Sequence, residues 1–139
     1  TDKHLENDLL PIAAESFSER SSEHYVKALQ TEHCVGCCTV SARDSVALAE
    51  ALLQSGLAGH VPAIGSDVFP ENVQYMHTGV FNNLLQKNPY QQAYVAAQYM
   101  AEYLLQGKHP SKDIVTVGGE MVYQSNLPLY DNGFYRLLL

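Results

Sequence analysis

Asp67 stands directly after an apolar run, in the stretch Ala63-Ile64-Gly65-Ser66-Asp67-Val68-Phe69-Pro70-Glu71-Asn72. A carboxylate at the end of a buried segment is the first candidate for chemistry here. An ionised carboxylate is an acceptor only, and it can take hydrogen bonds from more than one donor. Position alone leaves a second account open: Asp67 would cap a helix beginning near Pro70. The thiols come next. Cys34, Cys37 and Cys38 lie within Cys34-Val35-Gly36-Cys37-Cys38, an odd number with no second Cys/His group at zinc-ligand spacing. Plain buried thiols of a strand are expected, and unpaired thiols favour a reducing, cytoplasmic compartment. His33 beside them suggests a Cys–His pair, but the surroundings are apolar and no third group orients it. His24, His60, His77 and His109 share no ligand spacing. No nucleophile with its base, no paired carboxylates and no metal or cofactor site assemble from these residues, so an enzyme is not expected.

The elements that must position Asp67 follow from periodicity and punctuation. "DKHLENDLL" reads as a short helix closed near Pro11, and "IAAESF" as a strand. "SERSSEHYVKALQTE" is a helix with Tyr25, Val26 and Leu29 at helical spacing. "CVGCCTV" is a continuous apolar run, the signature of a strand buried on both faces. "SARDSVALAEALLQSG" is a helix with Val46, Ala49 and Leu53 on one face and Gly56 as its stop. "VPAIGS" is a strand, "ENVQYMHTG" a short helix, and "VFNNLLQ" another strand. "PYQQAYVAAQYMAEYLLQG" is a long helix with Pro89 in its first turn, a stripe of Ala93, Ala96, Ala97, Met100 and Leu104, and Gly107 at its end. "DIVTVGGEMVYQ" is a last extended segment. Strand alternating with helix predicts an α/β fold, a three-layer α/β/α sandwich with a mainly parallel sheet in which "CVGCCTV" and "VPAIGS" are adjacent central strands. In such sheets ligands sit beyond the carboxyl ends of the strands, where Asp67 falls. The loop "FSERSSEHY" reaches the same edge and offers Phe17 as an apolar platform or Arg20 as a charged contact; a solvated helix start is the simpler account of both. Tyr90, Tyr94, Tyr99 and Tyr103 offer an aromatic stacking surface, although Tyr99 and Tyr103, four apart on one helix, suit packing better.

Composition bounds the function classes. The chain has 139 residues, one domain by length, with 46% hydrophobic and 17% charged residues, an ordinary globular mixture. Eight basic residues against 15 acidic ones give a net charge of -7, with no basic stripe to neutralise phosphates, so these residues are not expected to hold nucleic acid. No apolar run approaches the ~20 residues that span a bilayer, and "TDKHLENDLL" does not read as a signal peptide, so no membrane association is expected.

Taken in order, "LLQSG", "VPAIGSDVFPEN", the helix ending in "TG", "NNLLQKNPYQQAYVAAQYMAEYLLQGK" and "EMVYQSNL" resemble the effector-binding region of LacI-type transcriptional regulators, which shares its fold with periplasmic sugar receptors of type I. The resemblance runs over essentially the whole chain and is most specific from Val61 to Leu127. It implies two doubly wound lobes closing on a small ligand, in a region about twice this length. Residues 1–79 would be mostly second lobe, 80–112 a crossover strand and a first-lobe helix, and 113–139 a return segment. DNA would be bound only through an N-terminal domain outside these residues. The helix from Pro89 to Gln106 would need a partner surface, a second copy in a homodimer or an exchanged segment.

The resemblance places the family's strand-end aspartate on Asp67 and its hinge glutamine on Gln86. An amide at a hinge offers a donor and an acceptor, which suits a sugar or sugar derivative as effector. Many relatives carry Asn-Asp where this chain has Ser41-Ala42. Ser41 could still contact a hydroxyl, or serve as a helix N-cap. Because Asp67 and Gln86 would be placed for ligand rather than core, truncating either is not expected to reduce folding. The motifs favour a regulator; the alternative is an exported solute receptor of a transport system.

Overall fold

The computed structural model describes residues 11–12, 21–30 and 34–131. The helix expected over residues 2–10, the strand over 12–17, Phe17, Arg20 and His33 lie outside them, wholly or nearly so. The elements run α1 (Ser21–Leu29), β1 (Cys37–Cys38), α2 (Ala42–Gln54), β2 (Ala63–Ser66), α3 (Pro70–His77), β3 (Asn83–Gln86), α4 (Pro89–Gln106), β4 (Glu120–Val122) and α5 (Pro128–Asp131). The sheet order is β1-β2-β3-β4, with β1, β2 and β3 parallel and β4 antiparallel to β3. The fold is thus α/β with an open, mainly parallel sheet, as the alternation of elements predicts.

Each helix forms for reasons visible in the chain. In α2, Ser45, Leu48, Ala49 and Leu52 are buried, and their spacing of three and four puts them on one face; of the expected face of Val46, Ala49 and Leu53, only Ala49 is buried, and Leu53 is 52% exposed. The helix ends where Gly56 takes φ 71 and Leu57 N–H donates back to the Leu52 carbonyl at 2.9 Å, a closure that suits glycine. Helix α3 begins with Pro70 in its first turn, where the missing N–H is no loss. Asn88 caps α4 by accepting from Gln91 N–H at 3.1 Å, and Gly107, at φ 64, stops it.

The core gathers Leu48, Ala49, Leu52, Ala63, Met76, Val80, Phe81, Leu84, Val122 and Leu127 between α2, α3 and the sheet. Phe81 meets Tyr75 edge-on, with ring centroids 6.1 Å apart. Gly65 is required by this packing: a Cβ there would lie 2.8 Å from Leu84 Cδ2 and 3.0 Å from Phe81 Cε2. Asn82 fixes where β3 enters the sheet, its side-chain oxygen accepting from Ala63 N–H at 2.8 Å.

One expectation needs correction. "CVGCCTV" is adjacent to β2, as expected, but only Cys37 and Cys38 pair as strand, and β1 is the outermost strand of the sheet among the described residues. It is not buried on both faces. Cys38 is exposed, Cys34 and Cys37 are half-buried, and Val40 is 85% exposed. An apolar run signals the potential for burial, while the neighbours that would deliver it are set by sheet position. On α4, no residue is buried; Met100 and Leu104 are 58% and 70% exposed. Its apolar stripe has no cover among the described residues. Tyr103 packs edge-on against His109, with ring centroids 4.9 Å apart.

Candidate functional site

Parallel strands deliver their carboxyl ends to one edge of the sheet, and there the chain brings together Asp67 after β2 and Gln86 at the end of β3. The ladder between these strands runs Ile64↔Asn83, Gly65↔Leu84 and Ser66↔Leu85, and Asp67 N–H extends it by donating to the Leu85 carbonyl at 2.8 Å. Asp67 therefore sits one step from Gln86 across neighbouring strands. Its backbone turns sharply here, at φ 63. Asn88 (φ 52) is the other non-glycine residue with positive φ among those described, and it too lies at this edge. Such conformations cost of order 1–3 kcal/mol each and persist where surrounding contacts hold them.

Those contacts are specific. Asp67 Oδ1 accepts from Lys87 N–H at 3.1 Å, and Oδ2 lies 3.0 Å from Lys87 Nζ. The Lys87 ammonium also donates to the Val40 carbonyl at 2.8 Å, so one side chain ties the loops after β1 and β2 to the end of β3. Gln86 Oε1 accepts from Val68 N–H at 3.1 Å, crossing the same gap in the other direction. Beneath them Asn72, fully buried in the first turn of α3, donates to the Ser66 carbonyl at 2.7 Å and to the Asp67 carbonyl at 3.1 Å. Its Oδ1 has no hydrogen-bond partner among the described residues.

A second network locks the neighbouring loop. Ser45 Oγ donates to the Ser41 carbonyl at 3.0 Å and accepts from Ser66 N–H at 2.7 Å. Because a hydroxyl has a single proton, the 2.7 Å contact between Thr39 Oγ1 and Ser45 Oγ must be donated by Thr39. Ser66 Oγ donates back to the Thr39 carbonyl at 2.7 Å. Every group in this cluster is paired, so it holds the ends of β1 and β2 in register instead of facing a ligand.

Of the residues singled out from sequence, Asp67 and Gln86 come together and Ser41 lies at the same edge, next to the Val40 carbonyl that Lys87 holds. Asp67 is not a helix cap: the N-cap position of α3 is Phe69, and the Asp67 carboxylate is turned to Lys87. Ser41 occupies the N-cap position of α2 with extended backbone, yet its side chain makes no capping bond. Phe17 and Arg20 fall outside the described residues. The expectation that Asp67 and Gln86 contribute nothing to folding is overturned, since each accepts a backbone N–H across the strand ends. Sequence reading missed Lys87, Asn72 and Ser45. Lys87 could have been found as the cation directly after the hinge glutamine, and Ser45 as a polar residue on the apolar face of α2. Asn72 reads simply as part of a solvated helix start.

The thiols lie apart from this edge in character. Burial first, and then the neighbouring Cys34 and Cys38, push the Cys37 thiol up to about 11, so it is no nucleophile at neutral pH. Among the described residues no three His, Cys, Asp or Glu side chains gather as metal ligands, and no helix is long and apolar enough to cross a membrane. A separate groove of about 340 Å³ runs between α4 and residues 115–117, lined by Val95, Ala96, Tyr99 and Val115 among others.

The fold has clear counterparts. A glucose-galactose binding protein from Geobacillus stearothermophilus superposes with TM-score 0.67 at 23% identity, over 79% of this chain and 39% of its own. A transporter solute-binding protein from Agrobacterium vitis, bound with α-D-tagatopyranose, gives 0.68 at 17% identity, over 86% of this chain and 41% of its own. A putative LacI transcriptional regulator from Bacteroides fragilis gives 0.60 at 17% identity, over 78% of this chain and 37% of its own. The chain therefore spans about two fifths of the length of these structures. No curated protein matches it in sequence. Residues 14–109 match the periplasmic binding protein domain, and the chain belongs to that family.

Proposed function

We propose that this chain is the C-terminal part of the effector-sensing region of a LacI-type transcriptional regulator, and that its effector is a sugar or sugar derivative. The observation that carries the reading is the meeting of Asp67 and Gln86 at the carboxyl ends of two adjacent parallel strands, the place where open α/β sheets take their ligands. Residues 1–79 would form most of one lobe, 80–112 the crossover strand and a helix of the other lobe, and 113–139 the return. A helix wholly without buried residues, α4, suits a piece whose partner surface is supplied from elsewhere. In the intact protein, ligand would bias the balance between open and closed lobes and so the spacing of two DNA-binding domains in a cytoplasmic homodimer. Such coupling requires different affinities for the two arrangements, typically ~1–3 kcal/mol.

A second reading has its own support. Most of the structural neighbours are sugar-binding components of transporters, which favours an exported receptor delivering sugar to a membrane complex. Three free thiols favour the regulator. Two measurements separate these. Calorimetric titration of the full-length protein against a sugar panel tests the shared binding function, and absence of any sugar binding would refute both readings. A gel-shift assay against the promoter region of its own operon, with and without the bound sugar, tests the regulator: sugar-dependent DNA binding is expected, and its absence in a sugar-binding protein selects the receptor.

A further inference from the structure

Three strand ends meet at one ammonium. Lys87 Nζ is 3.0 Å from Asp67 Oδ2 and 2.8 Å from the Val40 carbonyl oxygen, and its side chain is 38% exposed. An ammonium has three N–H donors, so one remains for something outside the protein. Beside it, Gln86 spends its side-chain oxygen on Val68 N–H, and its NH₂ finds no partner among the described residues. Ser41 Oγ makes no capping bond. On the acceptor side stand what remains of the Asp67 carboxylate, one oxygen of which accepts from Lys87 N–H and the other from the ammonium, and the Glu120 carboxylate across from Gln86, already engaged by Tyr130 O–H.

The balance of donors and acceptors bears on the ligand. A hydroxyl brings a proton with every oxygen it offers, so a wholly neutral polyol that satisfied these donors would leave its own protons competing for the rest of Asp67. A carboxylate or phosphate brings oxygens without protons, and charge-assisted bonds to it are the stronger kind. The ion pair with Lys87 also cancels the charge with which a bare Asp67 would repel an anion. Resting on the sugar-binding reading above, we propose that Lys87 determines specificity: the ligand is a sugar carrying one anionic group, held by the third ammonium N–H and the Gln86 NH₂, while a sugar hydroxyl donates to Asp67.

The test is calorimetric titration of the full-length protein with sets of sugars matched in stereochemistry: neutral aldoses, their uronates and their terminal phosphate esters. One acidic set should bind at least roughly tenfold more tightly than its neutral counterparts, and that preference should shrink as salt is raised. Whether the uronates or the phosphates are preferred identifies the anionic group. Lys87→Met should abolish the preference and Lys87→Arg restore most of it, with thermal melting used to confirm that both variants fold. The salt dependence in the unmodified protein stands as evidence even if Lys87→Met does not fold. A neutral sugar bound as tightly as its acidic partners, or an unchanged preference in folded Lys87→Met, overturns the role of Lys87 and leaves the sugar-binding reading standing. Failure of every sugar to bind overturns both.

Discussion

Replacing Asp67 by alanine and, separately, by glycine distinguishes what its carboxylate does from what its backbone does. The alanine variant loses the bond from Lys87 N–H at 3.1 Å, about 1 kcal/mol net. It also loses the contact with Lys87 Nζ, worth at most about 1 kcal/mol because the lysine is 38% exposed. At φ 63 alanine meets a steric penalty that aspartate tolerates better through its local hydrogen bonding, adding a fraction of the ~1–2 kcal/mol left-handed cost. The sum is a loss of about 2 kcal/mol. Glycine loses the same two contacts but none of the strain, and gives back about 0.5–1 kcal/mol through the greater freedom of the unfolded chain. The full ~1–2 kcal/mol left-handed cost that alanine carries and glycine avoids exceeds that loss, so Asp67→Gly should be more stable than Asp67→Ala by about 0.5–1 kcal/mol, or about 2–4 °C in melting temperature for a domain of this size. Urea denaturation with the slope held common to both variants measures the difference. Sugar affinity of the full-length protein should fall tenfold to a hundredfold in both and equally, since the lost contact is the same. Equal stabilities would refute the strain argument. An undiminished affinity in Asp67→Ala would reduce Asp67 to a tie between β2 and β3.

Three further outcomes follow from the same contacts. Asn72→Ala should cost about 2–3 kcal/mol by leaving the Ser66 and Asp67 carbonyls without their donor, while Asn72→Asp, which sets an oxygen against both, should cost more; denaturant titration of the two variants checks the order. Gly65→Ala should destabilise by about 1–3 kcal/mol, because the added methyl meets Leu84 and Phe81 in the closed core, and combined with Leu84→Ala, itself costly at a fully buried site, the total loss should fall short of the sum of the two single losses. Alkylation at pH 8 should modify exposed Cys38 first and Cys37 last, by mass-resolved labelling. Since the folded state holds the Cys37 proton more tightly, with its pKa raised from 9.0 to about 11, its contribution to stability is complete below pH 9 and is lost as pH rises from 9 through 11.

Local rules settled most of the elements. Proline at the starts of α3 and α4, glycine at the ends of α2, α3 and α4, and apolar residues three and four apart on α2 are read from neighbours a few residues away, and the structure places these helices where the sequence predicts them. The alternation of strand and helix was enough to fix a mainly parallel sheet and to set Asp67 at the edge where the strands' carboxyl ends lie, because parallel strands need crossovers and all point their carboxyl ends the same way. Burial of the cysteine run was beyond the reach of sequence. Its apolar character is local, but its exposure depends on β1 lying at the margin of the described sheet. The same holds for the helix-cap account of Asp67: a carboxylate near a helix start invites it, and only the contact with Lys87, 20 residues on, sets it aside. Lys87 and Asn72 escaped notice because a lysine or an asparagine in a polar stretch looks solvated until the fold closes around it. Tertiary structure alone brings Val40, Asp67 and Lys87 to one ammonium, through pairings that no periodicity encodes.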